Sequence, residues 1–196
     1  GAWGEVGSSG GEVGMGGRGE AIGRRLAMVT EDRKFTGLNL KASVQDNITL
    51  VGLPELCRLG VVNKAAEQRV ADSFIDQLKI KTNSRNAPDS SLSGGNQQKV
   101  VIAKWLQTAP DIIIMDEPTR GVDVGAKRDI YLLIGELAKA GKAVLLISSE
   151  LPEIMGLSDR IIVLAAGRLT GELERPDFSQ ESILKLASDF SRGAAA

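Results

Sequence analysis

The 196-residue sequence contains no histidine and a single cysteine, Cys57. Without histidine there is no Ser-His-Asp or Cys-His catalysis and no histidine-ligated metal site. Proton transfer must then use carboxylates, Lys, Tyr or water. One thiol cannot close an internal disulfide, which suits a reducing compartment. With no histidine to activate it, Cys57 reads as a small buried hydrophobe. No apolar run nears the roughly 18 residues of a transmembrane span, and the N-terminus has no signal-peptide core. Neither sign of charge dominates. The 24 Lys and Arg against 25 Asp and Glu leave a net charge of −1, which provides no basic field for nucleic acid and no acidic tail. An apolar fraction of 42% excludes global disorder, and the length suffices for one domain with a sizeable core. A soluble cytoplasmic protein is expected.

Glycine is abundant, and unevenly placed. Nine of the 23 glycines fall in residues 1–20. Such a segment loses much backbone entropy on ordering and has little to bury. It reads as a flexible arm, part of it a leftover of expression cloning. Gly14, Gly16 and Gly19 form a literal G-x-G-x-x-G. A dinucleotide fingerprint requires a strand before it and a helix opening from it. Only Glu12-Val13 precede it, so the match reads as coincidence.

Regular structure is predicted from Ala21 onward. Leu26–Val29 reads as a short buried strand, followed by the charged turn Thr30-Glu31-Asp32-Arg33-Lys34. Ser43 and Asp46 form a capping-box pair, predicting a helix from 44 to about 52. Asn63 caps a second helix, whose Ala66, Val70, Phe74 and Leu78 recur at four-residue steps. A third helix follows Gly95, with Val101, Ile102, Trp105 and Leu106 on one face. Residues 127–139 form a fourth, with Ile130, Leu133, Ile134 and Leu137 at helical spacing and Gly141 as its stop. Residues 112–115, 143–147 and 161–164 read as apolar strands, with a short helix over about 152–156. Gly167 turns the third strand toward 169–173. Continuous apolar strands between helices predict an α/β fold with a parallel sheet covered on both faces. Ligands of such sheets sit at the strands' carboxyl ends.

Two patterns carry chemistry. Ile112–Met115 ends in Asp116-Glu117, so two acids emerge at the carboxyl end of a buried strand. Asp116 can hold Mg²⁺ through water, and Glu117 can orient an attacking water. A solvated acidic turn explains the pattern equally well when it is taken alone. Leu92-Ser93-Gly94-Gly95-Asn96-Gln97-Gln98 precedes a helix. Its glycines admit close backbone approach, Ser93 offers a hydroxyl, and the helix start offers free N–H groups suited to phosphate. Alone, it reads as an ordinary serine-glycine helix start.

Together, about twenty residues apart, the two patterns closely resemble ABC ATPases. Ser93-Gly94-Gly95-Asn96-Gln97 matches the signature, Asp116-Glu117 the Walker B end, and Arg120-Gly121-Val122-Asp123 the D-loop. The wording of 96–99 and 117–127 resembles the second, C-terminal cassette of bacterial monosaccharide importers of the ribose, galactose, arabinose and xylose type. The resemblance covers roughly residues 21–187. It implies a partial cassette. Residues 1–20 would be the glycine-rich arm. Residues 21–37 and 108–175 would be the ATPase core portion, 38–107 a helical signature subdomain, and 176–196 a C-terminal helix and tail.

It also implies roles and partners. Ser93, Gly94, Gly95, Asn96, Gln97, Asp123 and Glu31 would contact ATP, Asp116 would hold Mg, and Glu117 would be catalytic. Glu31 stands where most cassettes have a glutamine. Ser149 stands where most have the histidine that contacts the γ-phosphate. Losing one preorganised transition-state donor costs roughly 100- to 1000-fold in rate, so this cassette's own site is expected to be slow or degenerate. No G-x-x-x-x-G-K-[ST] phosphate loop occurs in the sequence. The chain is therefore expected to be a truncated second cassette, inactive by itself, whose signature caps ATP on the opposite cassette. The implied partners are the first cassette, membrane-spanning permease subunits and, indirectly, a sugar-binding protein, with no nucleic acid. The implied location is peripheral, on the cytoplasmic face of the bacterial cell membrane. A non-catalytic regulatory module of an ABC-type ATPase, a chromosome-maintenance head lobe and a dinucleotide-binding domain are the alternatives. The second lacks its coiled-coil heptads here, and the last rests on three glycines.

Overall fold

Two short strands, β1 (Val6–Ser8) and β2 (Gly11–Val13), pair antiparallel within the glycine-rich segment, with Val6 opposite Val13 and Ser8 opposite Gly11. The computed structural model describes residues 6–8, 11–13, 17–33 and 37–193. In the described part of the glycine-rich segment, the paired strands return backbone hydrogen bonds for the entropy they lose. Helix α1 (Arg18–Gly23) follows and starts before the predicted onset at Ala21. Gly14 and Gly16 of the G-x-G-x-x-G match lie outside the described residues, as does Lys34 of the charged turn. The strand before that match pairs antiparallel in a two-stranded sheet. A dinucleotide fingerprint needs a parallel βαβ unit there.

The chain divides into two compact units at Leu145/Leu146. The first holds β3 (Leu26–Val29), β6 (Ile112–Asp116) and the start of β7 (Ala143–Ile147), with strand order β3-β6-β7. Strands β3 and β6 run parallel in direct register, from Leu26 opposite Ile112 to Val29 opposite Met115. Their carboxyl ends therefore lie side by side, which brings the loop after Val29 against the loop after Asp116.

Between β3 and β6 comes the helical region. Helix α2 (Val44–Thr49) begins with the predicted capping box, in which Ser43 Oγ accepts from the Asp46 amide and the Asp46 carboxylate accepts from the Ser43 amide. It ends at Thr49 rather than near 52, where Pro54 opens a short 3₁₀ turn over Leu53–Leu56. A hairpin that the sequence reading did not anticipate, β4 (Cys57–Arg58) and β5 (Val61–Val62), turns through Leu59 and Gly60, both at positive φ. Cys57 is half-buried on this hairpin rather than buried.

Helix α3 (Lys64–Gln77) is capped by Asn63, as predicted. Its buried face includes Glu67, whose carboxylate accepts from Thr49 Oγ1 at 3.2 Å and from Lys64 Nζ at 3.0 Å. Helix α4 (Gly94–Leu106) is enclosed nearly all round instead of on one face: Val100, Val101, Ile102 and Ala103 are fully buried. Its two buried lysines are accommodated by partners. Lys99 Nζ bonds Asp129 at 2.8 Å, and Lys104 Nζ donates to the Gly37 carbonyl and lies 5.5 Å from the Trp105 ring centre. Helix α5 (Val124–Lys139) starts before the predicted Lys127, buries Ile130, Leu133 and Ile134, and is followed by Gly141 at φ 80°.

The expectation of strands covered on both faces is corrected at β7. Leu145 is 48% and Ile147 45% exposed. The strand lies at the end of its sheet, and apolar sequence records a preference for burial without supplying the layer that buries it.

The second unit holds α6 (Leu151–Leu157), β8 (Arg160–Ala165), β9 (Arg168–Glu174) and α7 (Gln180–Gly193). Ile161, Val163 and Ile183 form its core, with Leu151, Ile154, Leu173 and Phe178 around them. Strand β8 was expected as a third strand of the parallel sheet. It pairs antiparallel with β9 instead. The cause is the two-residue Ala166-Gly167 turn, with φ of 50° and 76°, a backbone twist that returns the chain directly alongside itself.

Candidate functional site

The site forms where the loops leaving β3 and β6 meet the start of α4. Strand β6 delivers Asp116 and Glu117 at its carboxyl end, with Ile113 and Met115 anchoring it in the core. Burial pushes the Asp116 carboxyl up from its ordinary range, and the neighbouring charges of Glu31 and Glu117 push it the same way. Three of the predicted acids therefore share one field. Glu117 has a φ of 47°, a left-handed conformation that a non-glycine residue adopts at a cost of about 1–2 kcal/mol. The turn closes through hydrogen bonds, the Arg120 amide donating to the Glu117 carbonyl (3.1 Å) and the Val122 amide to the Thr119 carbonyl (3.3 Å). Asp123 then caps α5, its Oδ1 accepting from the Ala126 amide at 2.9 Å. Asp123→Ala is expected to cost about 1 kcal/mol, read as a melting-temperature drop of about 2–4 °C.

The signature segment is placed against this turn. A Cβ on Gly94 would lie 3.2 Å from the Gly121 carbonyl oxygen, and one on Gly95 would lie 2.3 Å from Ala126 Cβ and 3.7 Å from Asp123 Oδ2. Glycine at both positions is what allows the approach. Among α2, α3, α4 and α5, α4 is the one whose N-cap side chain makes no capping hydrogen bond. Ser93 Oγ instead accepts from Asn96 Nδ2 at 2.9 Å and is exposed. The first-turn amides of α4 are thus left without a side-chain cap beside an exposed hydroxyl, an arrangement fit for an anion.

The remaining predicted residues are placed differently. Asn96 Oδ1 accepts from the Lys81 amide at 2.8 Å, so this side chain spans the helix start and the preceding loop. Gln97 is buried, and its Nε2 donates to the Asp89 carbonyl at 3.1 Å. Ser149 belongs to the second unit, two residues past the end of β7. Its neighbour Ser148 accepts from the Glu150 amide and donates to Glu153. Arg120, within the D-loop match, and Arg33, within the charged turn, also enter the site, although the sequence assigns neither a role. Arg120 pairs with Glu31, and Arg33 donates to the Arg120 carbonyl at 2.8 Å and the Gly121 carbonyl at 3.1 Å. Each of the two turns carries both acids and bases, and only the pairing of the strands before them shows which charges meet.

The donor set fits Mg²⁺ in one respect: Asp116 and Glu117 present hard carboxylate oxygens at a strand end. Among the described residues no cluster of three or more side chains is arranged as a metal cage. Mg²⁺ keeps most of its water and binds through one or two carboxylates plus substrate phosphates, so the acids here suit it as that kind of partial holder. Ser93 and the first-turn amides of α4 present the hydroxyl and N–H donor chemistry that a phosphate takes.

A sheet with an acid-ended strand, flanked by helices and joined to a helical segment that presents a glycine-opened helix start, is the α/β fold of an ABC ATPase cassette. A dimeric cassette solved in a post-hydrolysis state bound to ADP and Pi superposes with a TM-score of 0.71 at 24% identity, covering 89% of this chain and 74% of that one. A dimeric bacterial ABC transporter cassette superposes at 0.63 with 26% identity, covering 77% and 63%. The family model described as ABC transporter matches residues 4–120, the glycine-rich segment included. The chain belongs to the ABC transporter family.

Among curated proteins, it is 50% identical over 169 residues to the ribose import ATP-binding protein RbsA of Bacillus licheniformis, covering 86% of this chain and 34% of that protein. It is 49% identical over 183 residues to the L-arabinose transport ATP-binding protein AraG of Geobacillus stearothermophilus, covering 93% and 36%. It is 50% identical over 169 residues to the xylose import ATP-binding protein XylG of Geobacillus kaustophilus, covering 86% and 34%. The chain spans about a third of the length of these relatives. Among the described residues no helix is long and apolar enough to cross a membrane.

Proposed function

We propose that this chain is the signature-bearing part of a second, C-terminal cassette in the ATP-binding subunit of a monosaccharide importer. The observation that carries the reading is the placement of Ser93, Gly94 and Gly95, at the uncapped start of α4, directly against the Gly121–Asp123 loop. In this role Ser93 and the amides after it cap the terminal phosphate of ATP held by the first cassette. Asn96 and Gln97 support that cap, Asn96 by bonding Ser93 Oγ and Gln97 by tying the helix start to Asp89. Asp116 would hold Mg²⁺, Glu117 orients water and accepts its proton, and Asp123 fixes the start of α5 beside them. Bound Mg²⁺ supplies charge neutralisation for the phosphates.

The cassette's own site works slowly at best. Ser149 is short and uncharged where the family's histidine would donate. The similarity to ribose, arabinose and xylose import proteins supports a sugar as cargo. It likewise supports permease subunits as partners, an indirect link to a sugar-binding protein, and a peripheral position on the cytoplasmic face of the membrane. Residues 38–107 act as the helical subdomain, and 21–37 with 108–175 as the core portion.

The test is Ser93→Arg in the assembled importer. A bulky cation at the cap is expected to lower hydrolysis and uptake about 100-fold. Unchanged hydrolysis and uptake would show that this segment is not the phosphate lid.

A further inference from the structure

Arg33 sits where three functional segments converge, and no motif accounts for it. It leaves the loop after β3, four residues past Val29. Its Nη1 donates to the Arg120 carbonyl at 2.8 Å and its Nη2 to the Gly121 carbonyl at 3.1 Å. The same Nη2 lies 3.0 Å from where a Cβ on Gly94 would stand, and 3.4 Å from one on Gly121. One planar guanidinium thus spans two successive carbonyls of the turn after β6 while packing against the first residue of α4. The in-register parallel pairing of β3 and β6 makes this reach possible, since both loops leave the sheet at the same level. A second tie runs the other way, from the Arg120 side chain to Glu31.

We infer that Arg33 is a positioning residue that locks the Arg120–Asp123 loop and the signature glycines into one geometry. Two donors on a rigid fork fix both the distance and the orientation of the loop. The loop in turn sets Asp123 and the start of α5, against which Gly95 packs. Loss of the fork leaves the Arg120 and Gly121 carbonyls to water, and the start of α4 is no longer held against them. A lysine keeps the charge but offers a single point that reaches one carbonyl at a time.

The consequence for turnover rests on the proposed function, so the test has two arms. In the chain itself, Arg33→Ala is expected to speed amide exchange at Arg120 and Val122 about 10- to 100-fold, with α3 amides unchanged. Unchanged exchange at Arg120 and Val122, or equal acceleration in α3, would overturn the proposal. In the assembled importer, Arg33→Ala is expected to lower kcat for ATP about 10- to 100-fold with KM within about threefold. Arg33→Lys is expected to recover part of kcat. A raised KM at full kcat would overturn the positioning role. A wild-type importer without ATP hydrolysis would instead sink the functional reading, leaving the exchange arm to decide on Arg33.

Discussion

Gly95→Val is expected to destabilise this chain and, on the function proposed above, to abolish most hydrolysis in the assembled importer. A Cβ at position 95 would stand 2.3 Å from Ala126 Cβ, against the 3.4–4 Å of ordinary contact. Both atoms sit rigidly on helix starts, α4 and α5, so the helices must separate by more than 1 Å. Overpacking of this kind costs about 1–3 kcal/mol, and a shift near 1 Å in a positioned group costs about 100-fold in rate. The two effects share one cause, and a compensating change separates them from general misfolding. Gly95→Ala alone is expected to show both losses in milder form. Gly95→Ala with Ala126→Gly moves the methyl across the interface and is expected to restore packing and most activity. If the double variant is no better than Gly95→Ala, the close approach of α4 to α5 is not what glycine serves here.

Asp89 carries the second large effect, on stability rather than turnover. Its side chain is fully buried in the turn before the signature, and neither carboxylate oxygen has a hydrogen-bond partner among the described residues. Burial alone pushes its pKa from 3.8 to about 6. The folded chain therefore holds this proton more tightly than the unfolded chain does. Below about pH 4 both states are protonated and ionisation costs nothing. As pH rises from about 4 to 6 the unfolded chain ionises first, and stability falls. Above about 6 the loss is constant, near 3 kcal/mol at about 1.36 kcal/mol per pH unit. Asp89→Asn removes the ionisation at nearly constant shape. In urea titrations it is expected to be about 2–3 kcal/mol more stable than the parent at pH 7.5, with the difference vanishing near pH 3.5. A variant no more stable than the parent at pH 7.5 would show that the carboxylate finds solvent or a cation on folding.

Local signals were read well where the physics is local. Ser43 and Asp46 cap α2, Asn63 caps α3, and Leu26–Val29 forms β3, because each depends on residues within a few positions of one another. The acids at 116 and 117 and the glycines at 94 and 95 are legible for the same reason: each motif is contiguous. What failed was inference from apolarity to neighbours. The apolar runs at 143–147 and 161–164 look alike in sequence, yet one ends a sheet half exposed and the other folds back on β9 through Ala166-Gly167. Helix α4 was assigned one buried face from its spacing and is enclosed nearly all round, with two lysines inside, since a partnered lysine can be buried.

Sequence alone determined the class of this protein, since a glycine-opened helix start followed about twenty residues later by an acid-ended apolar strand needs no three-dimensional information to be recognised. It also determined where helices begin, through side chains that cap their own backbone. Tertiary structure alone decided what the motifs do to one another. The register of β3 on β6 puts Arg33 beside Arg120 and Gly121, and the close approach of α4 to α5 requires Gly95. The reason is physical: a cap or a turn is fixed by neighbours along the chain, whereas a guanidinium 87 residues from the carbonyl it holds is fixed only by the sheet that brings the two loops together.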